Sequence, residues 1–190
     1  MTETPVHIGT AVPLRRDNID TDQLSPARFV PYFRPHGYAN MLFADWRTDP
    51  EFVLNRPEYQ GATVLVAGRD FGTGSSRESA VWALRSANFD VVIAGGFGDI
   101  FRANATTRGL WTIEVDQDVI EHLWGEVEAD PWLPVRVDLA ARRLAFGASE
   151  RQFRIDEPLL RRLIEPGDQI TETLVHVAAI EAFESRRTAR

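Results

Sequence analysis

The run Ala62-Thr63-Val64-Leu65-Val66-Ala67-Gly68-Arg69-Asp70-Phe71-Gly72-Thr73-Gly74-Ser75-Ser76-Arg77-Glu78 passes from an unbroken apolar segment into a glycine-rich turn and then a helix start. Six consecutive apolar or β-branched residues, 62–67, suit a strand covered on both faces. The glycines punctuate it. A helix then runs to about Asn88, with Val81, Trp82 and Leu84 on its inner side. Val91–Ala94 reads as a second buried strand, Asp99–Arg108 as a second helix and Leu110–Val115 as a third strand. Strand–helix–strand–helix–strand over 62–116 predicts parallel pairing through right-handed crossovers.

Outside this core the text is less regular. Residues 1–61 predict a short strand over Gly9–Pro13, then the polar loop Arg16-Asp17-Asn18-Ile19-Asp20-Thr21-Asp22-Gln23 and a loop from Phe29 to Tyr38 broken by Pro31, Pro35 and Gly37. Residues 117–190 predict a helix over Gln117–Gly125, a hairpin from Val135–Leu139 and Arg143–Phe146, and a helix over Glu157–Ile164. A strand near Ile170–Leu174 and an amphipathic helix over Ala178–Arg187 follow. The whole, 1–190, is expected as one α/β domain, a mainly parallel sheet flanked by helices, with the C-terminal elements completing and covering it.

Composition narrows the chemistry. The formal net charge of −7 opposes generic binding to nucleic acid. Every basic residue is arginine, so Schiff-base and P-loop lysines are excluded. With no cysteine the chain makes no disulfide, has no thiolate nucleophile and cannot hold an iron–sulfur cluster through its own thiolates. His7, His36, His122 and His176 are scattered without metal-ligand spacing, so no metal site is expected. Met1–Thr10 lacks the pattern of a secretory signal, and no apolar run approaches the ~18 residues of a membrane span. A soluble, cytoplasmic protein is expected.

Gly72–Glu78 offers positive-φ positions, two hydroxyls, helix N–H groups and the Arg77 fork, a combination suited to a carboxylate or phosphate. Arg77 stands where a dinucleotide loop requires glycine, and the absent lysine rules out a P-loop. The plainer alternative is that Ser75 or Ser76 caps the helix. Arg69, Asp70 and Arg77 crowded on one loop favour an anionic small-molecule site.

Residues 66–78 resemble the signature of the aconitase superfamily's swivelling domain. Asn18-Ile19-Asp20-Thr21-Asp22-Gln23 is similar to a block of the small subunits of isopropylmalate dehydratases, and Phe97-Gly98-Asp99-Ile100-Phe101-Arg102-Ala103-Asn104-Ala105 with Gly109-Leu110 to a third. The three stand in order across most of the chain, from about residue 8 to 185. The resemblance implies the swivelling-domain fold and a hydro-lyase subunit of leucine biosynthesis, which moves water between neighbouring carbons of isopropylmalate. It implies that Ser75 is the base, that Ser76 and Arg77 hold a substrate carboxylate, and that Asp22 stands at the site's edge, where it equally could close a turn. It further implies a large partner subunit carrying a 4Fe-4S cluster, in keeping with the missing cysteines, and an apolar docking face for which Trp46, Trp111, Trp124 and Trp132 are candidates.

Three departures bear on specificity. Leu24-Ser25-Pro26 stands where small subunits usually have Ile-Ile-Pro, Ser79 where they usually have histidine, and the 31–36 loop is unlike theirs. Arg34 is either a solvated loop residue or, with Ser25, a contact to a polar side group of the substrate. Two alternatives stay open: a paralogous hydro-lyase acting on another 2-substituted malate or citrate-like acid, and a non-catalytic anion-binding module.

Overall fold

The computed structural model describes residues 5–29, 38–74, 77–164 and 173–188. Two four-stranded sheets form the frame. The first is parallel, in the order β2 (Ala11–Pro13), β3 (Val64–Val66), β4 (Val91–Ala94) and β5 (Trp111–Glu114). The second is antiparallel, in the order β1 (Val6–Gly9), β6 (Val135–Asp138), β7 (Arg143–Phe146) and β8 (Ser149–Gln152). The expected parallel core is thus accompanied by an antiparallel sheet of the same strand number, which contains the expected hairpin.

The single strand expected over Gly9–Pro13 is two. Val6–Gly9 pairs antiparallel with β6 and Ala11–Pro13 pairs parallel with β3, so the chain changes sheets at Thr10. The Thr10 carbonyl marks the switch by accepting from the Thr63 and Val64 N–H groups at 3.2 and 3.1 Å.

Two helices follow the parallel strands, α2 (Glu78–Ser86) after β3 and α3 (Asp99–Thr107) after β4, within a few residues of expectation. The helix α4 is longer than expected, Gln117–Ala129, and buries Val119, Ile120, Leu123, Trp124 and Val127. It crosses the carboxyl ends of the parallel strands. Gln117 lies beside Gly95 after β4, the Trp124 indole N–H donates to the Val66 carbonyl of β3 at 2.9 Å, and Glu128 meets Arg15 after β2. Val64, Leu65, Val66, Val91, Val92, Ile93 and Ala94 are fully buried, which explains why these strands read as continuous apolar runs. A helix α5 spans Glu157–Ile164, as expected.

The rest of the C-terminal region departs from expectation. The strand near Ile170–Leu174 falls mostly outside the described residues, and Thr173 and Leu174 are helical. Along the last helix, Val177–Thr188, residues 177–187 are all exposed, Ile180 and Phe183 included. Its apolar residues fall all around the helix and form no stripe, so it does not share the amphipathic pattern that buries α5. Of the candidate docking tryptophans, Trp124 belongs to the core, Trp46 and Trp111 pack partly against it, and Trp132 is 69% exposed.

Stability therefore resides in the parallel sheet. In urea unfolding of the full chain, Leu65→Ala is expected to cost about 2–5 kcal/mol by leaving a cavity, whereas Ile180→Ala should stay within about 0.5 kcal/mol of the parent.

Candidate active site

The parallel strands stop short of the loops that carry the chemistry, and the backbone continues the pairing beyond them. After β3, Gly68 N–H donates to the Arg16 carbonyl at 2.9 Å and Gly95 N–H to Gly68 at 3.1 Å. Further along, Phe71 N–H donates to Gly96 at 3.0 Å and Gly98 N–H to Phe71 at 2.9 Å. On the other flank, Asn18 N–H reaches the Arg69 carbonyl at 2.8 Å, Gly72 N–H reaches Ile19 at 2.6 Å and Thr21 N–H reaches Thr73 at 3.0 Å. Three segments far apart in sequence (16–21, 68–73 and 95–98) are knit into one platform at the carboxyl edge of the sheet, where open α/β sheets bind ligands.

Glycine is required at two points of this platform. Gly72 has φ +71°, and a Cβ there would drive into the Phe101 ring. At Gly98 a Cβ would lie 2.5 Å from the Gly72 carbonyl oxygen, which is backbone and cannot turn aside. Phe71 and Phe101 are buried beneath, edge to face with centroids 5.3 Å apart.

The short helix α1 (Thr21–Leu24) is fixed by a capping box. The Asp20 carboxylate accepts from Gln23 N–H at 2.8 Å, and the Gln23 side chain accepts from Asp20 N–H at 2.8 Å. This leaves Asp22 free to face α2. Its Oδ1 accepts from both the Arg77 guanidinium and, at 3.1 Å, Ala27 N–H. Asp22 thus closes a turn onto Ala27, one of the two readings of it, and it also pairs with Arg77. The Arg77 fork, and after it the Ala27 N–H, hold its carboxyl below the usual aspartate range. Because Asp22 is 56% exposed, the pair fixes geometry more than it stabilises the fold.

Arg77 is the N-cap of α2 and makes no side-chain cap bond; the capping considered for Ser75 or Ser76 falls outside the described residues. The helix start is tied down by Glu78, whose carboxylate accepts from Arg108 Nε at 2.6 Å, and by Trp82, packed edge to face on Tyr38 with centroids 5.2 Å apart. Ser75, Ser76 and Arg34 lie outside the described residues, as does the 30–37 segment. Ser79, where histidine is usual, is in the first turn of α2 with its Oγ buried and without a partner among the described residues. Ser25 is fully buried, and its Oγ likewise has no partner among the described residues.

Two features were not foreseen. Asp17 accepts from Arg69 N–H at 2.8 Å and buttresses the turn, a contact across 52 residues that no local pattern announces. The Arg69 side chain, grouped with Arg77 from the sequence, instead lines a cleft with Gly95, Gln117 and Arg154. Among the described residues no group of three or more His, Cys, Asp or Glu could hold a metal ion, and no helix is long and apolar enough to cross a membrane.

Residues 4–118 match the aconitase C-terminal domain model. The chain is 54% identical over 183 residues to a 3-isopropylmalate dehydratase small subunit of Acidothermus cellulolyticus, covering 96% of this chain and 93% of the relative. It is 51% identical over 187 residues to that of Salinispora tropica, covering 98% and 96%. The chain belongs to the 3-isopropylmalate dehydratase small-subunit family. A crystal structure of a family member, a 3-isopropylmalate dehydratase from Methanocaldococcus jannaschii, matches with a TM-score of 0.65 at 26% identity, covering 96% of this chain and 99% of that one. Membership accounts for the swivelling-domain fold and for the platform's three blocks.

The Arg77–Asp22 contact has a defined pH dependence. The folded carboxyl is shifted below its unfolded value of about 3.9, so what the pair contributes is present above that pH and is lost as pH falls through the lowered value. Carboxyl-detected NMR titration should place the Asp22 midpoint below that of an ordinary aspartate, and Arg77→Gln should move it upward. Separately, Gly98→Ala should destabilise the chain by about 1–3 kcal/mol in urea unfolding.

Proposed function

We propose that this chain is the small subunit of a 3-isopropylmalate dehydratase, a hydro-lyase of leucine biosynthesis that interconverts 2-isopropylmalate and 3-isopropylmalate together with a large subunit in the cytoplasm. The observation that carries the reading is near-full-length identity of 54% to a relative of that name, with Gly68–Thr73 bonded into the platform at the sheet's carboxyl edge.

The chemistry follows from what the loop can supply. Ser75, as its alkoxide, takes the C–H proton; the electron pair of that bond forms the carbon–carbon double bond, and the hydroxyl leaves the neighbouring carbon as water with a proton from an acid outside this chain. Water then returns with its proton and hydroxyl exchanged between the two carbons. A serine is a weak base in water and needs preorganised positive potential. Arg77 and the N–H groups of the first turn of α2 supply it. Ser76 and Arg77 take a substrate carboxylate, the planar fork matching both oxygens. Asp22 acts through Arg77: held by the Ala27 N–H, it fixes the guanidinium from one side and leaves the other donors for substrate.

A 4Fe-4S cluster held by the large subunit would supply Lewis acidity toward the substrate hydroxyl. This chain has no cysteine with which to hold one. Side-group selectivity is assigned to the 30–37 segment, with Arg34.

The test is reconstitution with the large subunit, following 2-isopropylmalate consumption. Activity should require both chains. Ser75→Ala should lower kcat by about 10²–10⁴-fold, the range for losing a general base, and Arg77→Lys should raise KM with a smaller loss of kcat. Turnover of citrate-like acids in preference to isopropylmalate, abolished by Arg34→Ala, would move the assignment to the paralogous hydro-lyase. A formed, cluster-loaded complex without turnover of either would overturn the enzymatic reading.

A further inference from the structure

A second concave site lies where the carboxyl ends of β4 and β5 meet the chain leaving β8. It is a polar cleft of about 190 Å³ lined by Arg69, Gly95, Glu114, Asp116, Gln117 and Arg154, among others. An antiparallel bridge between Glu114 and Arg154 pins the second sheet's outgoing chain against β5 and brings Arg154 to the cleft. The volume is below the ~300–1,000 Å³ of drug-sized pockets, so the occupant is small.

The lining is divided by charge. Glu114 is engaged by Arg102 of α3. Arg69 and Arg154 have no side-chain anionic partner among the described residues, and Asp116 likewise has no cationic one. The Gln117 Oε1 is buried and meets no donor among the described residues, although its amide nitrogen lies 3.4 Å from Glu121. A Cβ at Gly95 would sit 3.3 Å from both Arg69 Cγ and Gln117 Oε1, so a side chain there would crowd both groups.

We propose that this cleft binds a small free α-amino acid, its carboxylate between Arg69 and Arg154 and its ammonium on Gln117 Oε1 and Asp116. Each half of such a zwitterion answers an unmet group: the guanidinium forks take the carboxylate, and the ammonium supplies the donor that the buried amide oxygen lacks. A plain anion would leave Gln117 unsatisfied and face Asp116, and a plain cation would face two arginines. The site is outside the Gly72–Arg77 loop, and the proposal does not depend on the dehydratase reading.

The test uses the full chain alone, by thermal melting and calorimetric titration with each protein amino acid. Malate and inorganic phosphate serve as anion probes. At least one amino acid should raise the melting temperature saturably, as linkage requires. Arg154→Gln and Gly95→Ala, one removing a charge and the other filling space, should each weaken that binding by about tenfold or more. Either variant suffices if the other fails to fold. The proposal is overturned if no amino acid binds, if malate or phosphate binds as well as any amino acid, or if a folded variant keeps the parent affinity.

Discussion

The site hangs on backbone hydrogen bonds made after the strands have ended. Parallel β-pairing covers only Val64–Val66 of β3, yet the chain from Gly68 to Thr73 remains bonded on both sides, to 16–21 and to 95–98. Glycine at 72 and 98 is the condition for it, because these two backbones approach closer than any side chain permits. The aromatic pair Phe71 and Phe101 fills the space beneath. An unsatisfied buried N–H or carbonyl is costly, so each bond of this set enforces the others. A rigid platform results, from which Arg77 projects at the head of α2.

Rigidity matters because the proposed base is weak. A serine hydroxyl contributes to proton transfer only where its surroundings are already arranged to stabilise the alkoxide. The Asp22–Arg77 contact is one part of that arrangement, and Asp22 is itself placed by a capping box and by the Ala27 N–H. The same carboxylate thus ties Arg77 to the turn that begins at Ala27. The helix at Val177–Thr188 is exposed over 177–187, whereas the strands that carry the platform are buried.

Much of this was legible in the sequence where the signal is local. Buried parallel strands write continuous apolar runs, and the glycine-rich turns between strand and helix mark where the loops begin, so β3 to β5 were placed within a few residues. What escaped was non-local or unpatterned. Nothing between Val6 and Pro13 distinguishes the half that pairs with β6 from the half that pairs with β3. β8, Ser149–Gln152, is polar and largely exposed, and exists because β7 offers it a partner across a Gly147 turn. The acidic stretch after Gly125 reads as a solvated face, yet Val127 within it is buried and extends α4 by a full turn. In the site itself, residue types and order were readable, but the direction in which Arg69 points depends on Gly95 and Gln117, far along the chain.

The most direct measurement is a crystal structure of this chain with its large subunit and a bound isopropylmalate or inert analogue. The account predicts a substrate carboxylate on the Arg77 guanidinium, Asp22 still on its far side, and Ser75 Oγ within about 3.5 Å of the carbon that loses its proton. A substrate carboxylate held elsewhere, or Ser75 remote from the reacting carbons, would contradict it.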